Sequence, residues 1–496
     1  MDNSRRIVGA QILTLFLLAL VARIAMLIIY PFDGLYGQDA FAYYDYSIAL
    51  KVALSHSQSI PPFFWPIGFP LQLVLSLLVF GVRPIAAQLV SLIAGATIAP
   101  LTYLIAREMM IDVDPVRARR VGMIAAAMMI FAGQLMISSL SIMSDATALM
   151  WAMLSAWLLL RYIHQLHSAN LVLAVITLSI AVLNRWAYGL LGLPWTLAVL
   201  SVWRQRHSSI SIRRMLGLTL LSLTIVGSIF VAQQVSGSLN TGTFEMHIWN
   251  PVNAIKTELT NADGVFRYAL PMALYYLRPV VDPGFIFPLW LPLLIIGGWS
   301  MRRRMLAEQW VLIGWALVTY IYLGGETYQN PRFSLELFPP LALWVAAGFD
   351  RVWLDRPQWR GGLNGLTAAA LIGSAIWSAR IVGNFVAEKN SDLERAQHIS
   401  TLLPAGAQVI TFSLTLTLMH YTGFDVIELY DEIPSTLANK VCGRGNAYAY
   451  LDEVNIDQQW TGLAPEINYR WLKEQAGLSL IDQFKGYSLF KIIGQC

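Results

Sequence analysis

The sequence predicts an all-α polytopic membrane domain followed by a small α/β domain outside the membrane. Three observations carry that expectation. Of 496 residues, 56% are hydrophobic and only 13% charged, against about 25% charged in an average soluble domain. Apolar runs of bilayer-crossing length recur up to about residue 385 and then stop. The charge divides at the same place. From Val386 onward there are 8 basic and 13 acidic residues, whereas the preceding chain carries 26 and 17. The expected domains are therefore 1–385 and 386–496. A basic, apolar body with an acidic polar tail implies two environments and excludes a nucleic-acid binder.

The elements follow in order. Arg5 and Arg6 precede an apolar stretch, Ile7–Tyr30, that is too long for a signal-peptide core and has no small-residue cleavage site after it, so it reads as a retained first span. Further spans are expected at Ile85–Ala106, Val121–Leu140, Ala146–Tyr162, Leu171–Asn184, Trp186–Trp203, Met215–Gln234, Phe285–Trp299, Trp310–Leu323, Phe333–Phe349 and Leu363–Phe385. That is about eleven, which puts the termini on opposite faces. The 17 Trp and 20 Tyr suit a protein with two membrane interfaces to line.

Basic residues set the orientation. One set of connections holds Arg5, Arg6, Arg107, Arg117, Arg119, Arg120, Arg161, Arg204, Arg206, Arg213, Arg214, Arg302, Arg303, Arg304, Arg351, Arg356 and Arg360. The alternate set holds only Lys51, Arg83, Arg185, Lys256, Arg267, Arg278 and Arg332. The richer set belongs in the cytoplasm with the N-terminus, and the acidic tail lies outside. Two outer loops are long. The first, Pro31–Pro84, contains Trp65-Pro66-Ile67-Gly68-Phe69-Pro70 and a short apolar helix, Leu71–Phe80, expected along the outer interface. The second, Val235–Pro283, contains another expected interface helix, Phe266–Leu277.

In the tail, Val409–Phe412 and Val426–Leu429 read as strands, Ile467–Gln475 as a helix and Tyr487–Ile493 as a final strand. The two cysteines, Cys442 and Cys496, exclude a disulfide-rich scaffold. They would be able to pair in an oxidising compartment.

The candidate chemistry starts from Asp39, in Gly37-Gln38-Asp39-Ala40-Phe41-Ala42-Tyr43-Tyr44. An acid at the outer end of the first span is costly to keep there and is a functional candidate; it would equally serve as a cap for Ala40–Ala49. Outside the cytoplasm, activated groups arrive on lipid phosphates. Transfer of a sugar from a polyprenyl phosphate needs a carboxylate to take the acceptor's proton, cations to hold the departing phosphate and an apolar groove for the tail. Asp39 offers the first. Arg83, Arg185, Lys256, Arg267, Arg278 and Arg332 offer the second, and arginine's fork suits phosphate oxygens. Each has a plainer reading: Arg83 as a headgroup anchor, Arg185 as a turn residue, Arg332 as an interfacial anchor, Arg278 as a partner of Asp282. Asp145 opens a span within Ser144-Asp145, where capping competes with a substrate role. Glu245 and His247 are two apart in the second loop, a spacing that leaves a divalent metal open without requiring a cofactor. His56 and Glu326 read as solvated loop residues.

The order of these motifs resembles a known group. An acid with tyrosines behind it (Asp39, Tyr43, Tyr44) is followed by the aromatic-Pro-x-Gly-aromatic-Pro run before a short helix (Trp65–Gly81). Then come Ser144-Asp145, Asn184-Arg185-Trp186-Ala187-Tyr188-Gly189, and Pro331-Arg332-Phe333 leading to Phe338-Pro339-Pro340-Leu341. From about Ile7 to Phe349 this resembles GT-C-fold glycosyltransferases of the family-39-like group, which includes protein O-mannosyltransferases, the lipid A aminoarabinose transferase and the Rgt-type transferases. Such enzymes usually carry an Asp-Glu pair in the first loop; here Ala40 follows, so Asp39 stands alone. The resemblance implies a polyprenyl-phosphate-linked sugar as donor, a lipid, glycan or protein acceptor, and an inverting transfer on the outer face of a plasma membrane. It implies Asp39 as base or acceptor-binding group, Arg332 at the donor phosphate and Asp145 as a site residue; beside these, Arg278, Arg267 and Arg185 are expected at the donor phosphate and Tyr43, Tyr44 and His247 at substrate. Rival readings are a flippase for lipid-linked sugars, disfavoured by the lack of a two-half repeat, and a non-catalytic membrane scaffold.

Overall fold

The computed structural model describes residues 2–110, 114–206, 249–261, 263–302 and 304–494, with four further positions between 207 and 248. The expected span Met215–Gln234 lies almost wholly outside them. The chain divides into two compact units. The first comprises Met1–Gly34, Tyr43–Ala254 and Met272–Gly383; the second comprises Leu35–Ala42, Ile255–Pro271 and Asn384–Cys496.

The helices, in order, are α1 (Asp2–Ile29), α2 (Gly37–Ser55), α3 (Gly68–Phe80), α4 (Pro84–Met109), α5 (Pro115–Phe131), α6 (Gly133–Leu140), α7 (Ser144–Gln165), α8 (Ser168–Asn184) and α9 (Gly192–Arg206). After the strands β1 (Glu258–Asn261) and β2 (Gly264–Arg267) come α10 (Met272–Leu277), α11 (Leu291–Met301), α12 (Leu306–Gly325), α13 (Phe338–Asp355) and α14 (Arg360–Leu402). By length and composition six described helices can cross a bilayer, or seven if α5 and α6, bent by 58° at Ala132, count as one. The apolar helices Gly68–Phe80, Ser168–Asn184 and Pro288–Met301 are shorter.

Three features of the first unit place its functional residues. Glycine faces let helices meet backbone to backbone: Gly297 of α11 lies against the Trp344 carbonyl of α13, and Gly348 of α13 lies against that of Leu293. The bend at Ala132 leaves the Phe131 carbonyl without a helical partner, and it accepts hydrogen bonds from Ser374 Oγ (3.0 Å) and Ser378 Oγ (2.5 Å) of α14. The break between α6 and α7 is satisfied from α4 and from the turn before α2: Gln88 of α4 donates to the Leu140 carbonyl (2.6 Å), Ser91 of α4 to the Met143 carbonyl (3.1 Å), and the Ile142 amide to the Gly34 carbonyl (2.9 Å). Unpaired backbone would be costly in a membrane, so such breaks persist only where neighbours supply partners.

The second unit is built on a five-stranded sheet of order β4-β3-β5-β7-β6, with β3 (Gln408–Thr411) parallel to β4 (Asp425–Glu428) and β5 (Ala447–Leu451), and β7 (Tyr487–Ile492) antiparallel to β5 and β6 (Leu478–Phe484). Short helices α15 (Thr415–Tyr421), α16 (Pro434–Val441), α17 (Glu453–Gln459) and α18 (Ala464–Trp471) connect the strands. The core includes Ile410, Leu429, Ala449 and Leu472 on one face, and Ile399, Val409, Leu418 and Tyr450 on the other. Its boundary with the first unit falls inside α14 at Asn384. The expected helix Phe266–Leu277 is corrected: Phe266 and Arg267 end β2, paired with β1, and helix begins only at Met272. β-branched and aromatic residues in Thr260 and Val265–Phe266 favour strand, and Pro271 immediately precedes the helix.

Candidate functional site

The first unit gathers the sequence motifs at the head of α7. Met143, extended at φ −137°, is the residue before the helix, and no side chain caps it. Asp145 therefore lies inside the first turn and does not act as a cap. It is 4% exposed, and its Oδ1 receives a hydrogen bond from Arg185 Nη1. Among the described residues its Oδ2, also buried, makes no hydrogen bond.

Arg185 reaches Asp145 because α8 ends one residue earlier. At φ −157° and ψ 116°, Arg185 is extended and leaves the helix path. The end of α8 is held by side chains: Gln72 Nε2 of α3 donates to Asn184 Oδ1 (2.8 Å), and Trp151 Nε1 of α7 donates to Gln72 Oε1 (3.2 Å). The same guanidinium also meets a second acid, with Arg185 Nε 3.4 Å from Glu336 Oε1. Glu336, 5% exposed, belongs to the 3-10 turn Pro331–Leu337 that leads into α13. One arginine thus faces two buried carboxylates. Buried charges persist when paired, so this grouping is held by the attraction between one cation and two anions.

Arg332, on the same 3-10 turn, joins this neighbourhood. Its guanidinium lies 5.3 Å from the Phe333 ring centre while that of Arg185 lies 4.7 Å from the same ring. Its Nη1 is 4.0 Å from Met143 Sδ, two residues before Asp145. Two guanidiniums thus flank one aromatic ring. Tyr43 of α2 reaches the head of α7 as well: its hydroxyl is 3.2 Å from Ser144 Oγ, and its ring stacks on Trp65 at 4.7 Å. Tyr44 is buried beside it in sequence. Glu326, read from the sequence as a solvated loop residue, is instead hydrogen-bonded to Tyr322 and lies in the field of Arg185.

The structure thus brings together Asp145, Arg185, Arg332 and Tyr43. Two of the other candidate arginines have acid partners of their own. Arg278 is paired with Asp282 four residues on, at 2.7 Å, and is mostly exposed. Arg267 faces Glu258 across the β1–β2 hairpin at 3.3 Å, with both side chains largely in solvent. His247 and Glu245 lie outside the described residues. Asp39 opens α2 as its third residue and belongs to the second unit. Among the described residues no three His, Cys, Asp or Glu side chains converge as a metal-binding group.

Sequence reasoning missed Glu336. The signal was present: an acid inside a stretch read as a span is a functional candidate by default. Glu336 lies four residues after Arg332, inside the expected span Phe333–Phe349.

The comparisons with known proteins agree with this architecture. Residues 13–250, just under half of the chain, match the family model described as dolichyl-phosphate-mannose-protein mannosyltransferase. No protein of curated function matches by sequence. The fold is similar to that of ArnT from Cupriavidus metallidurans, solved bound to undecaprenyl phosphate, at a TM-score of 0.65 and 13% identity over 98% of both chains. It is also similar to the oligosaccharyltransferase of Archaeoglobus fulgidus in its apo form, at a TM-score of 0.56 and 14% identity, covering 90% of this chain and 70% of that one. The GT-C fold expected from the motif order is the fold observed.

Proposed function

We propose that this GT-C-fold glycosyltransferase moves a sugar from a polyprenyl-phosphate donor to a lipid, glycan or protein acceptor on the outer face of a plasma membrane. The observation that carries the reading is the buried grouping of Arg185, Asp145 and Glu336 beside Arg332. Within that grouping Asp145 keeps one buried oxygen that makes no hydrogen bond among the described residues.

In the proposed reaction an acceptor hydroxyl oxygen attacks the anomeric carbon. The bond from that carbon to the phosphate oxygen breaks, and the phosphate leaves with the bonding pair. Attack from the face opposite the leaving group inverts the anomeric centre. Arg332 holds the phosphate as its charge develops. Arg185 is already neutralised by Asp145 and Glu336, so its part is to fix those acids toward the donor sugar. Asp39 accepts the proton released by the acceptor hydroxyl. Asp39 and Tyr43, four residues apart, share a face of α2.

The orientation follows the same reading. The arginine-rich connections face the cytoplasm and the acidic second unit faces outward. Cys442 is held in a disulfide, and the chain's other cysteine, Cys496, lies outside the described residues. A disulfide in this unit supports an oxidising, extracytoplasmic compartment.

The test is incorporation of label by the purified protein in lipid nanodiscs, supplied with a panel of radiolabelled undecaprenyl-phosphate-linked sugars and cell-envelope membranes as acceptor. Transfer is expected with at least one donor, lost in Asp39→Asn and weakened at the donor-binding step in Arg332→Glu. Full transfer by a correctly folded Asp39→Asn protein removes Asp39 from the mechanism. Donor movement across vesicles without any transfer replaces the enzyme by a flippase.

A further inference from the structure

The segment that bears Asp39 is packed on the soluble unit. Leu35–Ala42 is grouped with residues 384–496, although nearly 350 residues separate them along the chain. Two aromatic side chains make the attachment. Tyr36 sits edge-on to Phe385 at 4.7 Å, and the Lys389 ammonium lies 4.3 Å from the Tyr36 ring centre, both partners coming from α14. Phe41, 2% exposed, meets His420 at 5.4 Å and Tyr421 at 5.9 Å, both from the end of α15. His420 and Tyr421 in turn touch edge to face at 4.7 Å. Asp39 lies between the two anchors.

We propose that the soluble unit positions Asp39: the Tyr36 and Phe41 anchors hold the first turn of α2 so that its carboxylate is presented in one direction. The proposal rests on the reading of Asp39 as the base. The helix geometry fits it. Phe41 is two residues beyond Asp39, and residues two apart point to opposite sides of a helix. Seating Phe41 against α15 therefore turns Asp39 away from the anchor face, and Asp39 is half-buried while Phe41 is enclosed. Aromatic pairs add geometric preference to burial, and rigid rings are suited to fixing direction. A base needs that, since a displacement of about 1 Å at the reacting atoms costs roughly a hundredfold in rate. Tyr36, Phe41, Phe385, Lys389, His420 and Tyr421 are on this account positioning residues, and the tail is part of the enzyme's working geometry.

His420 is exposed on α15, so its removal leaves the core of the soluble unit intact. In the full-length protein, His420→Ala is expected to speed hydrogen–deuterium exchange in peptides covering residues 35–42 while leaving β3 and β5 peptides unchanged. His420→Phe, which keeps a ring against Phe41, is expected to restore protection. Unchanged exchange at 35–42 in both His420→Ala and Phe41→Ala overturns the proposal, and this readout needs no substrate. In transfer assays Phe41→Ala is expected to lower kcat about tenfold to a hundredfold with donor KM unchanged. That loss should vanish in an Asp39→Asn background, because a positioning defect has nothing left to position. Equal losses in both backgrounds overturn the link to Asp39 while sparing the anchor. Full activity of Asp39→Asn itself overturns the assignment of the base and not the packing.

Discussion

Two buried ion groupings in the first unit have opposite stoichiometry. Near the head of α7 one arginine, Arg185, meets two carboxylates, Asp145 and Glu336. About 20 Å farther along α13, one carboxylate, Asp350, meets two arginines of α5. Arg117 places Nε and Nη2 at 2.9 and 2.7 Å from Oδ2, and Arg120 places Nε 3.0 Å from Oδ1 and bonds it also through Nη2. Every lone-pair site that a fork can reach on Asp350 is filled. On Asp145 one oxygen is buried with no hydrogen bond among the described residues. The first grouping is underfilled and the second is saturated. A saturated pair of forks ties two helices together; an underfilled one retains capacity for a further partner. On the proposed function, the difference would make Asp350 part of the scaffold and Asp145 part of the chemistry.

The comparison can be broken by experiment. The largest expected effect is on stability. Asp350→Ala strands two guanidiniums and should cost about 3–5 kcal/mol in unfolding, with turnover per folded molecule close to that of the parent. Asp145→Asn should do the reverse. Its transfer rate should fall on the order of 10²–10³, as when one oriented charge-stabilising group is lost, with little change in melting. If Asp145→Asn melts early and keeps its turnover, the two roles are exchanged. Arg185→Lys comes next. An ammonium is a point charge and does not fork to Asp145 and Glu336 together, so a rate loss of about tenfold is expected, about 1.4 kcal/mol. Equal rates in Arg185→Lys and the parent would show that the fork does not matter.

The smallest effect concerns a carboxylate with no arginine. Glu428, in the second unit, is held by the Thr415 hydroxyl and the Tyr430 amide (3.2 Å), and burial raises its carboxyl above the ordinary range. A raised folded-state value means that the folded unit holds the proton more tightly than the unfolded chain. Its contribution is therefore greatest at low pH and is lost as pH climbs through the raised value. Relative to Glu428→Gln, the parent should gain stability as pH drops from 7 toward 4.5, read as slower hydrogen exchange in the β4 peptide. A gain on raising the pH would contradict the burial argument.

Much of the architecture was legible in the chain. Long apolar runs with sparse charge forced helices that satisfy their own backbone. The shift to alternating β-branched residues and an acidic charge after residue 385 marked the sheet unit, and strands were found at Val409, Val426 and Tyr487 where the pattern placed them. Motif order pointed to the GT-C fold. Asp145, Arg185 and Arg332 could be named as candidates because charged residues at span ends are costly to keep. Their partners could not be named. Glu336 stands 151 residues from Arg185, and nothing local says that α8 ends so that its arginine turns to meet two acids. Nor does periodicity reveal that Phe41 seats on His420. Pattern and composition decide which segments leave water, because that is a property of each segment's own side chains. Which charges then share one buried place depends on how helices already formed pack at glycine contacts and backbone breaks, and that is a property only of the assembled chain.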